Sequence, residues 1–417
     1  MKQSHSSERG QVLVIIAVAI IGLVGITGLA IDGSRAYSDR RQAQNAADTA
    51  SLAAALAYVK NPEGDFKSVG YSRAASNGFD DNETSNDVIV NHPPEDLPEA
   101  PSPYAGDPDY VQVIITSHID TLFGRVVGIE QLTNTVEAVA RVYPSEYTEM
   151  FFGNAVVGLA PEACKAIIYQ GNADTTLTGG GLFVNSDCPD AAFFNHSSAA
   201  ALVAPSLTSV GGIVYDEGAL DVPSIITGAQ AYPYPPTHIV LPNIACKDDD
   251  GNEVNAAVDG DTMSPGNWSG TFPPSSVTNL ESGVYCVNGD FKLNASDVLI
   301  GHDVVISMES GGVTWNGGAT IQLDAPESGP FKGLLLYLPI TNSSVIKING
   351  NDDSKFAGTI LAPASPIQIN GTGGADGFHC QVVGYTVDIS GTSAMDIRYN
   401  DSENYDVLTP QSIELTH

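Results

Sequence analysis

The sequence predicts an α+β protein: a long N-terminal transmembrane helix continuing into a small α/β domain, followed by a mainly-β domain. The β domain is expected to be a right-handed β-solenoid, with a β-sandwich as the alternative. Three observations lead there. Val12 to Ile31 is a run of twenty residues without a charge, long enough at ~1.5 Å per residue to cross ~30 Å of hydrocarbon as a helix. The run AQNAADTASLAAALAY, Ala43 to Tyr58, continues the helical pattern with a face of alanines. From about Cys164 onward, short apolar runs alternate with Gly, Asn, Asp and Ser turns, the texture of an all-β body.

The expected organisation is a cytoplasmic N-terminus at 1–11, a transmembrane helix at 12–31, a membrane-proximal α/β domain at 32–143 and a β-rich body at 144–417. A Pro-rich insertion or crossover is expected at 221–282. Seventeen Lys plus Arg against forty-nine Asp plus Glu give a net charge of −32. That balance argues against nucleic acid as a partner, because a phosphate backbone is bound by clustered cations.

Within the apolar span Gly22, Gly25 and Gly28 recur at every third position. Small residues there let another helix approach closely, or they reflect the general abundance of glycine in membrane helices. A cleaved signal peptide would also begin with a basic stretch such as Lys2 and Arg9, but its apolar region is shorter than this one. Arg35, Arg40 and Arg41 follow the span, so the flanking charges give no clean orientation.

Ala43, Ala47, Ala50, Ala54 and Ala57 then step by four and three, a stripe on one helix face. Alanine combines the best helix propensity with the least bulk, so this stripe is expected to lie close against a neighbouring element. Asn61-Pro62 ends the helix. Beyond it the pattern predicts a short helix at 66–78, a loop at 82–109 around the strand-like Val88-Ile89-Val90, a strand at 110–116, a short amphipathic helix at 120–127 and a strand at 132–143. The physical role of that small domain is to cover the alanine face.

Four blocks stand out along the first sixty residues. They are Arg9-Gly10-Gln11 before the span, Gly28-Leu29-Ala30-Ile31-Asp32 at its end, Tyr37, and Gln44-Asn45-Ala46-Ala47-Asp48 leading into the alanine run. With these residues the chain resembles the N-terminal domain of TadE/TadG-like proteins of the Flp (Tad) pilus assembly system, over residues 9 to 60 and more weakly to about Val142. The "TLFGRVVGI" segment at 121–129 has a counterpart there. Processed prepilins carry Glu at the fifth position after the cleaved Gly; here that place holds Ile15.

The resemblance implies a non-enzymatic component of a pilus assembly or secretion system. It would be anchored in the cytoplasmic membrane by a single span, with the C-terminal body extracytoplasmic. The partners implied are the membrane, other pilus-assembly or pilin-like proteins, and surface glycans or host and partner surfaces met by the body.

In the body, "IKINGN" and "IQINGT" repeat at a spacing of a little over twenty residues, as do "GPFKGLLLYLP" and "SKFAGTILAPAS". Such repeats favour strands stacked one repeat upon the next over hairpins. For an exported body Cys164 with Cys188 and Cys246 with Cys286 are sequence-local disulfide candidates, leaving Cys380 over; five reduced, buried cysteines are the other reading.

No G-x-S-x-G, H-E-x-x-H or P-loop occurs, and neither a cofactor nor a metal site is expected. Asp248, Asp250 and Asn252 have calcium-loop spacing, but Glu253 stands where the loop needs Gly, which makes an acidic surface turn the expected reading. His302-Asp303 and His379 could serve as acid and base in a glycan lyase or hydrolase; no pairing between them is visible in the sequence, and turn positions are expected.

Overall fold

The computed structural model describes residues 9–97, 101–171, 173–196, 201–248, 250–350, 354–370, 378–391 and 395–416. The expected N-terminal segment before Arg9, with Lys2, lies outside them. The chain divides into two compact units: one runs to Ser145 and resumes at Gln411, and the other is Glu146–Pro410.

In the first unit, α1 (Arg9–Lys60) is one helix of 52 residues, ~78 Å long. Asp65 caps the short α2 (Phe66–Ser76), accepting from the Ser68 N–H at 3.1 Å. Three antiparallel strands follow, β1 (Asn86–Asn91), β2 (Tyr110–Asp120) and β3 (Gln131–Tyr143), in the order β1-β2-β3. Val88 and Val90, Val111, Val113 and Ile115, and Val136, Ala138 and Ala140 alternate inward along these strands. Together with the alanines of α1 they form one core, the period-2 pattern of a sheet with one covered face.

Two local expectations need correcting. The stretch 120–127 is not an amphipathic helix: β2 extends through Asp120, and only a single 3-10 turn, Gly124–Val127, follows. Five hydrophobic residues in "TLFGRVVGI" suggested a helix face, but glycines at 124 and 128 and the sheet's own continuation prevail; Gly128 adopts left-handed backbone (φ 87°). The loop expected at 82–109 contains a true strand, β1.

The fourth strand of this sheet, Ser412–Thr416, comes from the far end of the chain and pairs antiparallel to β3, with Val142 opposite Ile413. The body was expected to run to 417; instead its last strand completes the first unit's sheet, so the second unit is inserted between β3 and that strand.

The second unit is mainly β, and its extended sheets are built from parallel pairs, apart from Val258–Asp259 with Thr262–Met263, which is antiparallel. The two repeated motifs pair with each other in register, Ile346 opposite Ile367 and Asn349 opposite Asn370. Leu336 and Tyr337 likewise meet Ile360 and Leu361. One sheet shows how the chain fills its layers. From Val156–Gly158 successive strands advance to Leu182–Val184, Leu207–Ser209 and Ile225–Thr227. The chain then restarts at the opposite end with Gly266–Ser269 and returns through Gly283–Asn288, Val304–Ser310, Leu334–Tyr337 and Thr359–Asn370. It finishes at Val382–Gly391, beside the strand where it began.

The Pro-rich stretch expected as an insertion or crossover at 221–282 holds short strands at Ile225–Thr227, Val258–Asp259, Thr262–Met263, Gly266–Ser269 and Asn279–Leu280, and between Thr227 and Gly266 it passes from one end of this sheet to the other. Tyr232, Tyr234, Ile239, Ile244 and Cys246 lay their apolar side chains on the sheet's outer face, against Phe183, Val305, Leu361 and Val383. Inside, Phe272, Phe291, Trp315, Phe356 and Phe378 form a continuous file of rings with centroids 4.8 to 5.2 Å apart. Such stacking adds to the burial of each ring.

Candidate functional site at the helix and loop junction

Among the described residues the N-terminal part of α1 has no partner in its unit: residues 12–27 are exposed without exception, most of them large aliphatics. Contact begins at Gly28. Gly28 is buried, and a Cβ placed there would meet Phe123 Cβ and Cγ at 2.6 Å, so only glycine admits the loop ring at this height. One turn later Asp32, 6 % exposed, points its carboxylate into the loop.

That carboxylate accepts three backbone N–H bonds, from Leu122 at 2.8 Å, Phe123 at 3.0 Å and Gly124 at 2.8 Å. The Leu122 bond first, then those of Gly124 and Phe123 and the nearby Arg35 guanidinium, hold its pKa below the usual carboxylate range against the opposing effect of burial. The loop is also closed on itself. Thr121 N–H donates to the Glu130 carbonyl at 3.0 Å, Thr121 Oγ1 to the Ile129 carbonyl at 2.5 Å, and Ile129 N–H to the Gly124 carbonyl at 2.9 Å.

Polar contacts continue up the same side of α1. Arg35 donates to the Asp120 carbonyl at 3.1 Å, Asn134 to the Ala36 carbonyl at 2.9 Å and to Asp39 at 3.0 Å, and Ser117 also donates to Asp39. Gln44 Nε2 bridges to Asp48 at 2.8 Å and to the Glu137 carbonyl at 3.0 Å. Fully buried Gln112 donates to the Glu137 carboxylate at 2.6 Å. The Gln44 and Asp48 of the sequence motif thus serve to fix helix against sheet.

Above this ladder the alanine face is packed. Ala43, Ala47, Ala50 and Ala54 are fully buried, Ala57 is half-buried, and Ala46 and Ala55, outside the expected stripe, are fully buried too. A straight 3.6-residue helix drifts off a strict heptad, which is why the buried set widens. A Cβ added at Gly22 or Gly25 would have nothing within 4 Å; of the three glycines only Gly28 touches its own unit.

In the second unit Cys164–Cys188 and Cys246–Cys286 are disulfides with Cα separations of 5.2 and 5.9 Å. Cys380 is free and fully buried, and burial pushes its thiol up to about 12. The turn at Asp248 is closed by its own carboxylate, which accepts from Asn252 N–H at 2.8 Å and Asp250 N–H at 3.1 Å; Asp249 lies outside the described residues. Among the described residues no cluster suited to a metal ion occurs.

The sequence missed one grouping. His302, Asp303, Asp324, Glu327, His379 and Glu403 share a cleft of about 750 Å³. His302 Nδ1 lies 2.5 Å from Asp324 and His379 Nδ1 3.5 Å from Glu403. Register brings them there: Gly301 pairs with Leu323, and Ala357 pairs with both Asp324 and His379. The 22-residue spacing of His302 and Asp324, close to the repeat length, was the available signal.

Residues 10–57 match the family model described as "Putative Flp pilus-assembly TadE/G-like". This segment is TadE/G-like. It takes in most of α1, from the exposed apolar half through Asp32 and the Gln44–Asp48 block to Ala57. Among curated proteins no sequence match was found. A comparison of structures returns the competence-associated pilin ComZ from Thermus thermophilus, at 10% identity over 80% of this chain and 88% of that one. Its TM-score of 0.19 is too low for any argument from shared fold.

Proposed function

We propose that the chain is a membrane-anchored, non-enzymatic component of a Tad/Flp-type pilus assembly or secretion system, exposing its β-rich body outside the cytoplasmic membrane for assembly or adhesion. The observation that carries this reading is the coincidence of the TadE/G-like segment with a helix whose first half is apolar and uncovered while its second half is packed. In this reading residues 12–31 are the single span and 32–143 the membrane-proximal domain. Gly22 and Gly25 are offered to a neighbouring membrane helix of another pilus-assembly or pilin-like protein.

The body is read as a β-solenoid. In-register parallel pairing of repeats and the file of aromatic rings support stacked repeats over the antiparallel hairpins that a sandwich uses. Such a surface would suit glycans or partner proteins. Cells lacking the chain are expected to lose assembled Flp-type pili or the associated secretion; unchanged assembly would overturn the proposal. Location is tested separately by non-reducing alkylation under denaturing conditions, where an exported body yields one reactive thiol, Cys380, and a cytosolic body yields all five cysteines as reactive thiols.

A second reading, a surface-anchored carbohydrate-active enzyme, is favoured by the carboxylate-held histidines of the cleft. A glycan screen with product analysis separates the two: turnover abolished by His302→Ala would favour the enzyme, and binding without turnover an adhesin.

A further inference from the structure

The loop that Asp32 grips has an unusual surface. Between Leu122 and Ile129 the exposed side chains are mainly apolar: Val126 is 86% exposed, Val127 75% and Leu122 60%, with Ile129 and Phe123 partly uncovered. Surface loops are ordinarily polar because their backbone and side chains meet water. The internal bonds of Thr121, Gly124 and Ile129, together with the three bonds to Asp32, hold this loop in a fixed shape.

The height of the loop along α1 is set by the Gly28–Phe123 contact and the Asp32 carboxylate. Those two residues bracket the end of the uncharged run Val12–Ile31. The exposed apolar surface of the loop is therefore continuous with the exposed apolar surface of the helix, at the level where the helix leaves hydrocarbon. The cations nearby fit the same boundary. Arg125 pairs with Asp120 at 3.1 Å while staying half exposed, and Arg35, Arg40 and Arg41 are exposed on the next turns of α1. In a chain of net charge −32, this local collection of arginines complements lipid phosphates, with aliphatic groups beside it for acyl chains.

We propose that Leu122–Ile129 is a second membrane-contacting element, which seats Leu122, Val126 and Val127 in the acyl-chain boundary of the leaflet that α1 leaves at Ile31–Asp32, with Arg35 and Arg125 among the lipid headgroups. The inference rests on the reading of α1 as a membrane span. A helix alone is free to slide and rotate in a bilayer, whereas a helix with a rigid apolar loop latched to one side is held at one depth and one rotation. The device would orient the alanine-faced half of α1, and the sheet packed on it, relative to the membrane.

The test uses the full chain in phosphatidylcholine and phosphatidylglycerol vesicles containing lipids brominated at shallow or deep positions. Single Val126→Cys, Leu23→Cys and Ile89→Cys variants carry a bimane label. The native cysteines do not interfere, since four are paired and Cys380 is fully buried. The expected result is loss of emission at Leu23→Cys mainly with deep bromines, comparable loss at Val126→Cys mainly with shallow bromines, and no loss at Ile89→Cys, which sits exposed on β1. Quenching at Leu23→Cys without quenching at Val126→Cys would overturn the loop's role and leave the anchor intact. Quenching at neither would overturn the anchor itself. A blue shift at Val126→Cys without lipid quenching would mean that protein covers the loop, and would also overturn the proposal.

Discussion

The two halves of α1 are one continuous helix suited to two different surroundings. From Val12 to Thr27 the residues are mostly large aliphatics with occasional glycine, all exposed in the unit. From Ala43 to Val59 they are mostly small, and the inward face is buried without gaps. Large side chains without partners suit a lipid solvent, which needs apolar area and tolerates any shape. Small side chains suit a folded sheet, which must come close and interlock. The change falls between Gly28 and Asp39, where polar contacts fasten the helix to loop and sheet. Hydropathy alone reads only the first half.

The largest effect that would break this contrast is a change of size in the packed half. Ala47→Leu with Ala50→Leu forces new volume against strands that already touch the helix, at about 1–3 kcal/mol per site. Thermal unfolding of the first unit should fall accordingly, while Leu23→Ala in the exposed half should leave it unchanged. Equal responses would erase the distinction between the halves.

Next in size is the boundary glycine. Gly28→Val should displace Phe123 and loosen the loop, costing about 1–3 kcal/mol, because its side chain would enter space the ring occupies. Gly22→Val and Gly25→Val meet nothing in the unit and should leave its unfolding unaltered. Hydrogen exchange at the loop amides separates the three variants.

The smallest effect concerns the Asp32 charge. Its carboxyl is held below the usual range in the folded chain, so its stabilisation is fully present above the unfolded value of about 3.9 and is lost as pH falls through the lower folded value. The amide resonances of Leu122, Phe123 and Gly124 should therefore stay constant from neutral pH down to about 4 and move together below it. In Asp32→Asn that joint movement should vanish. A transition centred well above about pH 4 would show that another group controls the loop.

Much of this was legible in the sequence because it is local or periodic. The apolar run needs only uninterrupted length, the alanine stripe only helical spacing, and the paired motifs at 346–349 and 367–370 only repetition. What escaped depends on residues far apart in the chain. Asp32 was visible as the end of a motif, but its partner Leu122 lies 90 residues away, and nothing near either end announces the match. The 3-10 turn at Gly124–Val127 read as a helix because its hydrophobic residues mimic a helical face. The cleft at His302 and His379 depends on the register of parallel strands, which a list of motifs does not contain.

By itself the sequence determined the uncharged apolar run, the helix that continues from it, the acidic composition and a β-rich body with repeated motifs. These follow from composition and short-range periodicity, which act on each segment wherever it lies. Only the tertiary structure decided that Ser412–Thr416 completes the first unit's sheet, that the Pro-rich crossover carries the chain from one end of a parallel sheet to the other, and that Asp32 takes hold of an apolar loop. Each of these is a choice among distant partners. Such choices are made by backbone groups that must find hydrogen bonds and by apolar faces that must be covered, and they are settled only when the whole chain is folded.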